Sequence, residues 1–233
     1  MHPEIALLGT SIELIDEKGS SLEVIHAIND PGLIEWSLLF GNCIAHSSVM
    51  FRKSVIDKVG PYSSNYFYAQ DYELWSRINQ EFLIDNIPEL LVHHRIGNNR
   101  ISSKYSFEQA KSAIKVMKQS IISVVGKDIP FHTVENLYMT VQDLPLLKQT
   151  DVHDVCKLIR DLYLTYKAND ELTEIQKKKI SHDAVNKLYR LASLNIHGSF
   201  LASIYVVSRA ELIEFRLPSF QKIKQIFANE SKF

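Results

Sequence analysis

Cysteine is scarce in this 233-residue sequence. Cys43 and Cys156 are the only two, and they stand far apart. Such a pair fits neither a disulfide framework nor the spacing of a zinc site, so a reducing compartment is the simpler expectation. Long apolar runs are missing too. The richest, Phe200 to Val207, is far shorter than the roughly 20 residues that a bilayer span needs. The opening Met1-His2-Pro3-Glu4 has neither the basic region nor the apolar run of a signal peptide. These absences predict a cytoplasmic protein, attached at most peripherally to the inner face of a membrane. A net charge of -1, with no basic-aromatic module, gives no support for nucleic acid as a partner. Internal repeats and low-complexity stretches are also absent.

What is present is the make-up of an ordinary globular chain, 45% hydrophobic and 23% charged, long enough for a sizeable core. The small net charge hides an asymmetry. Residues 1–102 carry 7 Lys+Arg against 13 Asp+Glu, and residues 103–233 carry 19 against 14. The basic second half could favour an acidic neighbour or an anionic surface, although charges so dispersed more often line solvated helix faces.

The first hundred residues read as α/β. Ile5 to Gly9 is a short apolar run suited to a buried strand. Ile12 and Leu14, then Leu22 and Val24, alternate with polar residues around Asp16-Glu17-Lys18-Gly19, which predicts either a hairpin with a solvated tip or an extended excursion. Asn29 to Gly32 is loop chemistry, and Leu33 to Phe40 predicts a short helix. Ser47 to Phe51 predicts a strand, and a helix near Ser54–Val59 should stop at Gly60-Pro61. A further short helix carries Asp71 and Trp75. Extended chain follows at Phe82-Leu83-Ile84, Ile87-Pro88 and Leu90-Leu91-Val92.

From about residue 103 the pattern becomes helical. Phe107, Ala110, Ile114, Met117 and Ile121 recur at helical spacing, with Ser106 as N-cap and Gly126 as stop. Val152, Cys156, Ile159, Leu162 and Tyr166 form a second stripe after Asp151. Ile175 to Leu194 and Ser199 to Phe215 predict two more helices, the latter broken by Pro218. Phe220, Ile223 and Phe227 lie beside Lys222, Lys224 and Lys232. That pattern suits a helix docked on the core better than one resting on an anionic membrane. The expected division is therefore an α/β part over 1–102 and a helical part over 103–233.

Asp71 is the leading chemical candidate. A carboxylate in the first helical turn sits near the positive end of the dipole, which holds it in place and favours its ionised form. A general base needs that form before it can accept a proton. Most such aspartates are plain helix caps, so the neighbouring sequence has to decide.

Three blocks stand in order: His46-Ser47-Ser48-Val49-Met50-Phe51-Arg52-Lys53, Val59-Gly60-Pro61-Tyr62, and Ala69-Gln70-Asp71-Tyr72-Glu73-Leu74-Trp75-Ser76-Arg77. Together with Ile87-Pro88-Glu89, His94-Arg95 and Ile101-Ser102, they resemble the acceptor-side half of family 2 glycosyltransferases, over roughly residues 2–125. The opening His2 to Gly9 resembles the segment that follows this family's metal motif. The resemblance implies an A-type, Rossmann-like glycosyltransferase sheet followed by an α-helical region. It also implies inverting transfer of a sugar from a nucleotide-diphosphate donor to a carbohydrate acceptor, in surface polysaccharide or glycoconjugate synthesis. Asp71 would then be the base on the acceptor hydroxyl. Gln70, where the family often has Glu, would bind substrate together with Arg52, His46, Trp75 and Arg95. Arg52 would either help neutralise a diphosphate or make a salt bridge, Trp75 would pack the helix down, and Arg77 would pair with a carboxylate.

Mg²⁺ or Mn²⁺ is also implied by the resemblance, yet the sequence contains no Asp-x-Asp to hold it. Gly97 stands where many relatives have a histidine. The nucleotide-binding βα units, on the order of 90 residues, would precede Met1. The chain is thus expected to be a truncated enzyme, inactive by itself unless a partner chain supplies the missing half. The alternative is a non-catalytic helical interaction module that carries a relic of the transferase. A histidine metal site from His46, His93 and His94 has no ligand spacing to support it.

Overall fold

The structure is a computed structural model that describes residues 2–97, 105–144 and 152–195, with Val206. The chain divides into two compact units, Met1–Ile121 and Ile122–Phe233. The first is mixed α/β; the described part of the second is helical.

Strand β1, Ile5–Ile15, is the spine of the first unit. It merges the apolar run at Ile5 with the alternation at Ile12 and Leu14, which the sequence reading kept apart. Strand β2 is Ser21–Ile25, β3 is Met50–Phe51 and β4 is Leu83–Arg95. Along its whole length β1 pairs in parallel with β4. Its other edge is shared, because β3 pairs antiparallel at Leu7 and Leu8 while β2 pairs antiparallel from Ile12 to Ile15. Between those two contacts side chains replace a strand. The Thr10 amide donates to Ser48 Oγ at 3.1 Å, and the Ala27 amide donates to Ser11 Oγ at 3.0 Å. The sheet is mixed, with one parallel pair and two antiparallel ones.

Two irregularities shape this sheet. The β1–β2 turn closes on Asp16, whose carboxylate accepts from the amides of Lys18 at 2.8 Å and Ser20 at 2.7 Å, while Gly19 takes a φ of 89°. A left-handed residue there suits glycine. In β4 the register jumps from Ile87 opposite Thr10 to Leu90 opposite Ser11, so Pro88 and Glu89 form a bulge. Proline has no ladder N–H, and a bulge is where a strand can hold one. Ser11 Oγ donates to the Pro88 carbonyl at 2.8 Å and holds the bulge in place.

Helices α1 (Pro31–Leu38), α2 (Lys53–Val59) and α3 (Gln70–Asn79) all fall between β1 and β4. Asp30 caps α1 by accepting from the Leu33 amide, and Pro31 supplies the fixed φ of a first helical residue. Gly60, at φ 86°, ends α2 where the sequence predicts a stop. Leu74, Trp75 and Ile78 of α3 are fully buried, and the Tyr72 hydroxyl donates to the Leu38 carbonyl at 2.6 Å. That bond pins α3 to the end of α1.

Helix α4, Ser106–Val125, contains the boundary between the units. Ile114, Met117 and Ile121 of its predicted stripe are buried, but Phe107 is 76% exposed. Gly126, at φ 69°, ends the helix. In the second unit α5 is Phe131–Val141, α6 is Val152–Lys167 and α7 is Glu174–Asn195. All five residues of the predicted α6 stripe are buried. The apolar pattern of the sequence does not predict helix α5, because its buried face carries Thr133, Asn136 and Thr140. The Asn136 side chain donates to the His132 carbonyl at 2.9 Å, and Thr140 Oγ1 donates to the Asn136 carbonyl at 2.8 Å. Local backbone bonding lets these polar groups occupy a core.

The expected Ile101-Ser102 loop, the cap at Asp151, the Ser199–Phe215 helix apart from Val206, and the Phe220–Lys232 segment lie outside the described residues. Among the described residues no helix is long and apolar enough to cross a membrane.

Candidate active site

Ala69 is the N-cap of α3 and offers no side-chain cap. Asp71, two residues on, turns its carboxylate toward other elements. Asn42 Nδ2 donates to Asp71 Oδ2 at 2.9 Å, and His46 Nδ1 stands 4.0 Å from the same oxygen. Oδ1 has no hydrogen bond among the described residues, and the side chain is 23% exposed. One oxygen is held and the other is open, which is the arrangement a base needs to receive a proton from a bound hydroxyl.

Each partner is fixed by its own loop. Asn42 Oδ1 accepts from the Ile44 amide at 3.1 Å, which orients the amide group toward Asp71. His46 opens a single 3-10 turn, His46–Ser48, tied to β1 through Ser48. Its Nε2 shares a hydrogen bond with Tyr62 Oη at 3.0 Å. Trp75 lies edge-on beneath the imidazole, ring centroids 5.8 Å apart, and also meets Tyr62 at 6.4 Å and Phe51 at 6.1 Å. The indole is fully buried and its N–H finds no acceptor among the described residues. Burial, and then the Asp71 carboxylate, raise the pKa of Tyr62 above the ordinary tyrosine value. A phenolate there would lose hydration and face a like charge.

The sequence-derived residues divide into two groups. His46, Asp71 and Trp75 come together. Gln70 is the exposed first residue of α3. Arg52 donates to the carbonyls of Ile5 at 2.9 Å and His2 at 3.1 Å, clamping the chain ahead of β1. Arg95 donates to the carbonyls of Asp16 at 2.8 Å and Glu17 at 2.9 Å, bracing the β1–β2 turn. Arg77 pairs with Glu73 and also donates to the carbonyls of Val59, Gly60 and Pro61. Through Pro61 it positions the segment that begins at Tyr62.

Asn42 and Tyr62 are the members of the site that sequence reasoning did not single out. Tyr62 was visible as the end of the Val59–Tyr62 block; Asn42 stands in a loop with no spacing signal. The three histidines serve different partners. His93 faces Glu13 at 3.2 Å, His94 faces Ser47 Oγ at 3.4 Å, and His46 turns to Tyr62 and Asp71. Adjacent residues on a strand point to opposite faces, which keeps His93 and His94 apart. Among the described residues no three His, Cys, Asp or Glu side chains converge to hold a metal ion. An open cleft of about 820 Å³ is lined by residues of β1, β3 and β4, among them Leu8, Met50, Phe51 and Asp85. Its lining includes neither Asp71 nor His46 nor Tyr62.

Curated relatives of this chain are glycosyltransferases. A Haemophilus influenzae protein named as an uncharacterized glycosyltransferase is 28% identical over 185 residues, 74% of this chain and 54% of the relative. The O-antigen biosynthesis glycosyltransferase WbnJ of Escherichia coli is 38% identical over 101 residues, 42% of this chain and 39% of that protein. A second uncharacterized glycosyltransferase of H. influenzae is 31% identical over 74 residues, 31% of this chain and 27% of it. No protein-family model matches. The chain spans about half the length of the first of these relatives and less of the others. The chain is glycosyltransferase-like.

Proposed function

We propose that this chain carries the acceptor side of an inverting, family 2-type glycosyltransferase with an A-type fold, working in surface polysaccharide or glycoconjugate synthesis. The observation that carries the reading is Asp71, with Oδ2 held by Asn42 and Oδ1 open. In this reaction the acceptor hydroxyl attacks the anomeric carbon of a nucleotide-diphosphate sugar. The new C–O bond forms on the face opposite the departing diphosphate, and Asp71 takes the hydroxyl proton. Asn42 keeps the carboxylate aimed, and Trp75 packs against the His46 imidazole. Tyr62, pinned by His46, presents a neutral phenol beside the base. Burial and the neighbouring Asp71 carboxylate push its pKa further above the ordinary tyrosine value.

The Mg²⁺ or Mn²⁺ that the resemblance implies finds no ligand set among the described residues. The polysaccharide assignment follows from the similarity to the O-antigen biosynthesis glycosyltransferase WbnJ.

The test is transfer by the full chain together with a partner that supplies the donor half, for which the unmatched part of WbnJ is a source, read as nucleoside diphosphate released from UDP-glucose, UDP-galactose, UDP-N-acetylglucosamine or GDP-mannose with an oligosaccharide acceptor present. Asp71→Asn should lower that release by about 10²–10⁴-fold, the usual range for a positioned base. Its circular dichroism should stay unchanged. Equal release by the wild type and the variant would overturn the assignment and favour the non-catalytic interaction module.

A further inference from the structure

Between α2 and α3 the chain reads Pro61-Tyr62-Ser63-Ser64-Asn65-Tyr66-Phe67-Tyr68-Ala69-Gln70. Four aromatics fall within seven residues, and the ten positions contain no charged side chain. The segment is firmly anchored. Tyr66 Oη donates to Gln119 Oε1 at 2.8 Å, and Gln109 Nε2 donates to the Tyr68 carbonyl at 3.1 Å, so two turns of α4 hold it. Tyr68 is forced to a φ of 67°. That left-handed conformation costs a residue with a Cβ on the order of 1–2 kcal/mol.

Tyr68 thereby meets two other rings. Tyr68 stacks on Tyr105, centroids 4.6 Å apart and planes 11° from parallel, and Phe67 meets Tyr68 at 6.3 Å. Phe67 nevertheless stays 69% exposed. Had the segment been built only to pack, its strain would be expected to bury Phe67. Here the strained backbone holds an aromatic ring out in water, three residues before the helix that carries Asp71. Backbone strain of this kind concentrates at binding and catalytic sites.

We propose that Phe67, Tyr68 and Tyr105 form a stacking platform for a neutral pyranose ring of the acceptor glycan, a binding subsite separate from the Asp71 carboxylate. One face of a pyranose presents C–H groups that pack on an aromatic ring, while its equatorial hydroxyls seek neutral donors and acceptors at the rim. The segment itself offers hydroxyl and amide groups, from the tyrosines, Ser63, Ser64, Asn65 and Gln70, and the one charged group that acts on Tyr68 among the described residues is Glu108 of α4. Because residues 61–70 lack charge, they do not suit a phosphate-rich or anionic surface, which binds through Lys and Arg. Phenolic rings with a polar edge are suited to a ligand that is apolar on one side and wet on the other. Only the identity of the ligand as an acceptor rests on the glycosyltransferase reading; the platform itself rests on the rings.

The test is saturation-transfer NMR on the full chain with methyl β-D-glucopyranoside, methyl β-D-galactopyranoside and methyl N-acetyl-β-D-glucosaminide. At least one should receive saturation, strongest at the ring protons of a single face. Phe67→Ala, at an exposed site that tolerates truncation, should reduce that signal at least fivefold. Phe131→Ala, at an exposed ring of the second unit, should leave it unchanged. No saturation of any probe by the wild-type chain, or an undiminished signal in Phe67→Ala, would overturn the platform. The two readings fail separately. Sugar binding with transfer indifferent to Asp71→Asn removes the base alone, whereas transfer lost in Asp71→Asn with no sugar binding removes the platform alone.

Discussion

The imidazole of His46 and the phenol of Tyr62 share a hydrogen bond of 3.0 Å between Nε2 and Oη, while the opposite nitrogen of the imidazole faces Asp71 at 4.0 Å. The tyrosine and the carboxylate therefore sense each other through space and through a shared neighbour.

The titration of Tyr62 should report that coupling. Asp71→Asn removes one of the two causes that raise its pKa, the like charge, and leaves burial in place. The pKa of Tyr62 should fall toward the ordinary tyrosine value without reaching it. Absorbance titration near 295 nm, with Tyr62→Phe as the reference that removes this residue's signal, measures the shift. An unmoved or higher pKa in Asp71→Asn would contradict the geometry.

Asn42 should matter to turnover more than to folding. Asn42→Ala removes the donor that holds Oδ2, a hydrogen bond to a charged group in a partly exposed setting. A loss of about 1.5 kcal/mol, close to tenfold in turnover, is expected. His46→Phe keeps the edge contact with Trp75 but releases Tyr62, and should resemble Asn42→Ala in rate. Thermal melts of both variants should stay near that of the wild type.

Arg77 should behave in the opposite way. Its guanidinium joins Glu73, itself only 8% exposed, to three successive carbonyls at the end of α2. Arg77→Ala leaves that carboxylate without its partner and should cost about 3 kcal/mol, the lower end for a broken buried pair because Arg77 keeps some exposure. Arg77→Lys should not restore the loss, since an ammonium cannot span a fork of acceptors. Denaturant unfolding measures both.

Gly9 lies where β1 passes Asn86. A Cβ at Gly9 would collide with Asn86 Oδ1 and crowd Ile44. The Asn86 amide is already committed, donating to the Ile28 carbonyl at 2.6 Å. Gly9→Ala should therefore destabilise by roughly 1–3 kcal/mol, the usual cost of overpacking. Gly19→Ala, with open space around its Cβ but a positive φ, should cost less; the two melts together separate crowding from backbone strain.

Much of this molecule could be read from local pattern, and the remainder fails for identifiable reasons. Val152, Cys156, Ile159, Leu162 and Tyr166 predicted the buried face of α6 because an apolar stripe has a period that shows in sequence. Helix α5 did not, because Thr133, Asn136 and Thr140 face inward; Asn136 and Thr140 satisfy themselves on the preceding turn, while the Thr133 hydroxyl finds no partner among the described residues. Pro88 split β4 into pieces on paper, whereas a bulge absorbs it in the fold. At the site, Asp71 and His46 stood in ordered blocks. Asn42 reaches Asp71 only through tertiary folding, and no spacing along the chain encodes that approach.

The parallel pairing of β1 with β4 also has a kinetic meaning. Everything that builds the site, from Asn42 to Trp75, lies on the excursion between these two strands. Closing so long a loop carries its entropy cost before the strand contacts repay it. Folding of the first unit should therefore be governed by that closure, and the base, its holders and the aromatic segment should become native together once β1 has found β4. Pulsed hydrogen exchange would show their amides protected in one phase with those of β1.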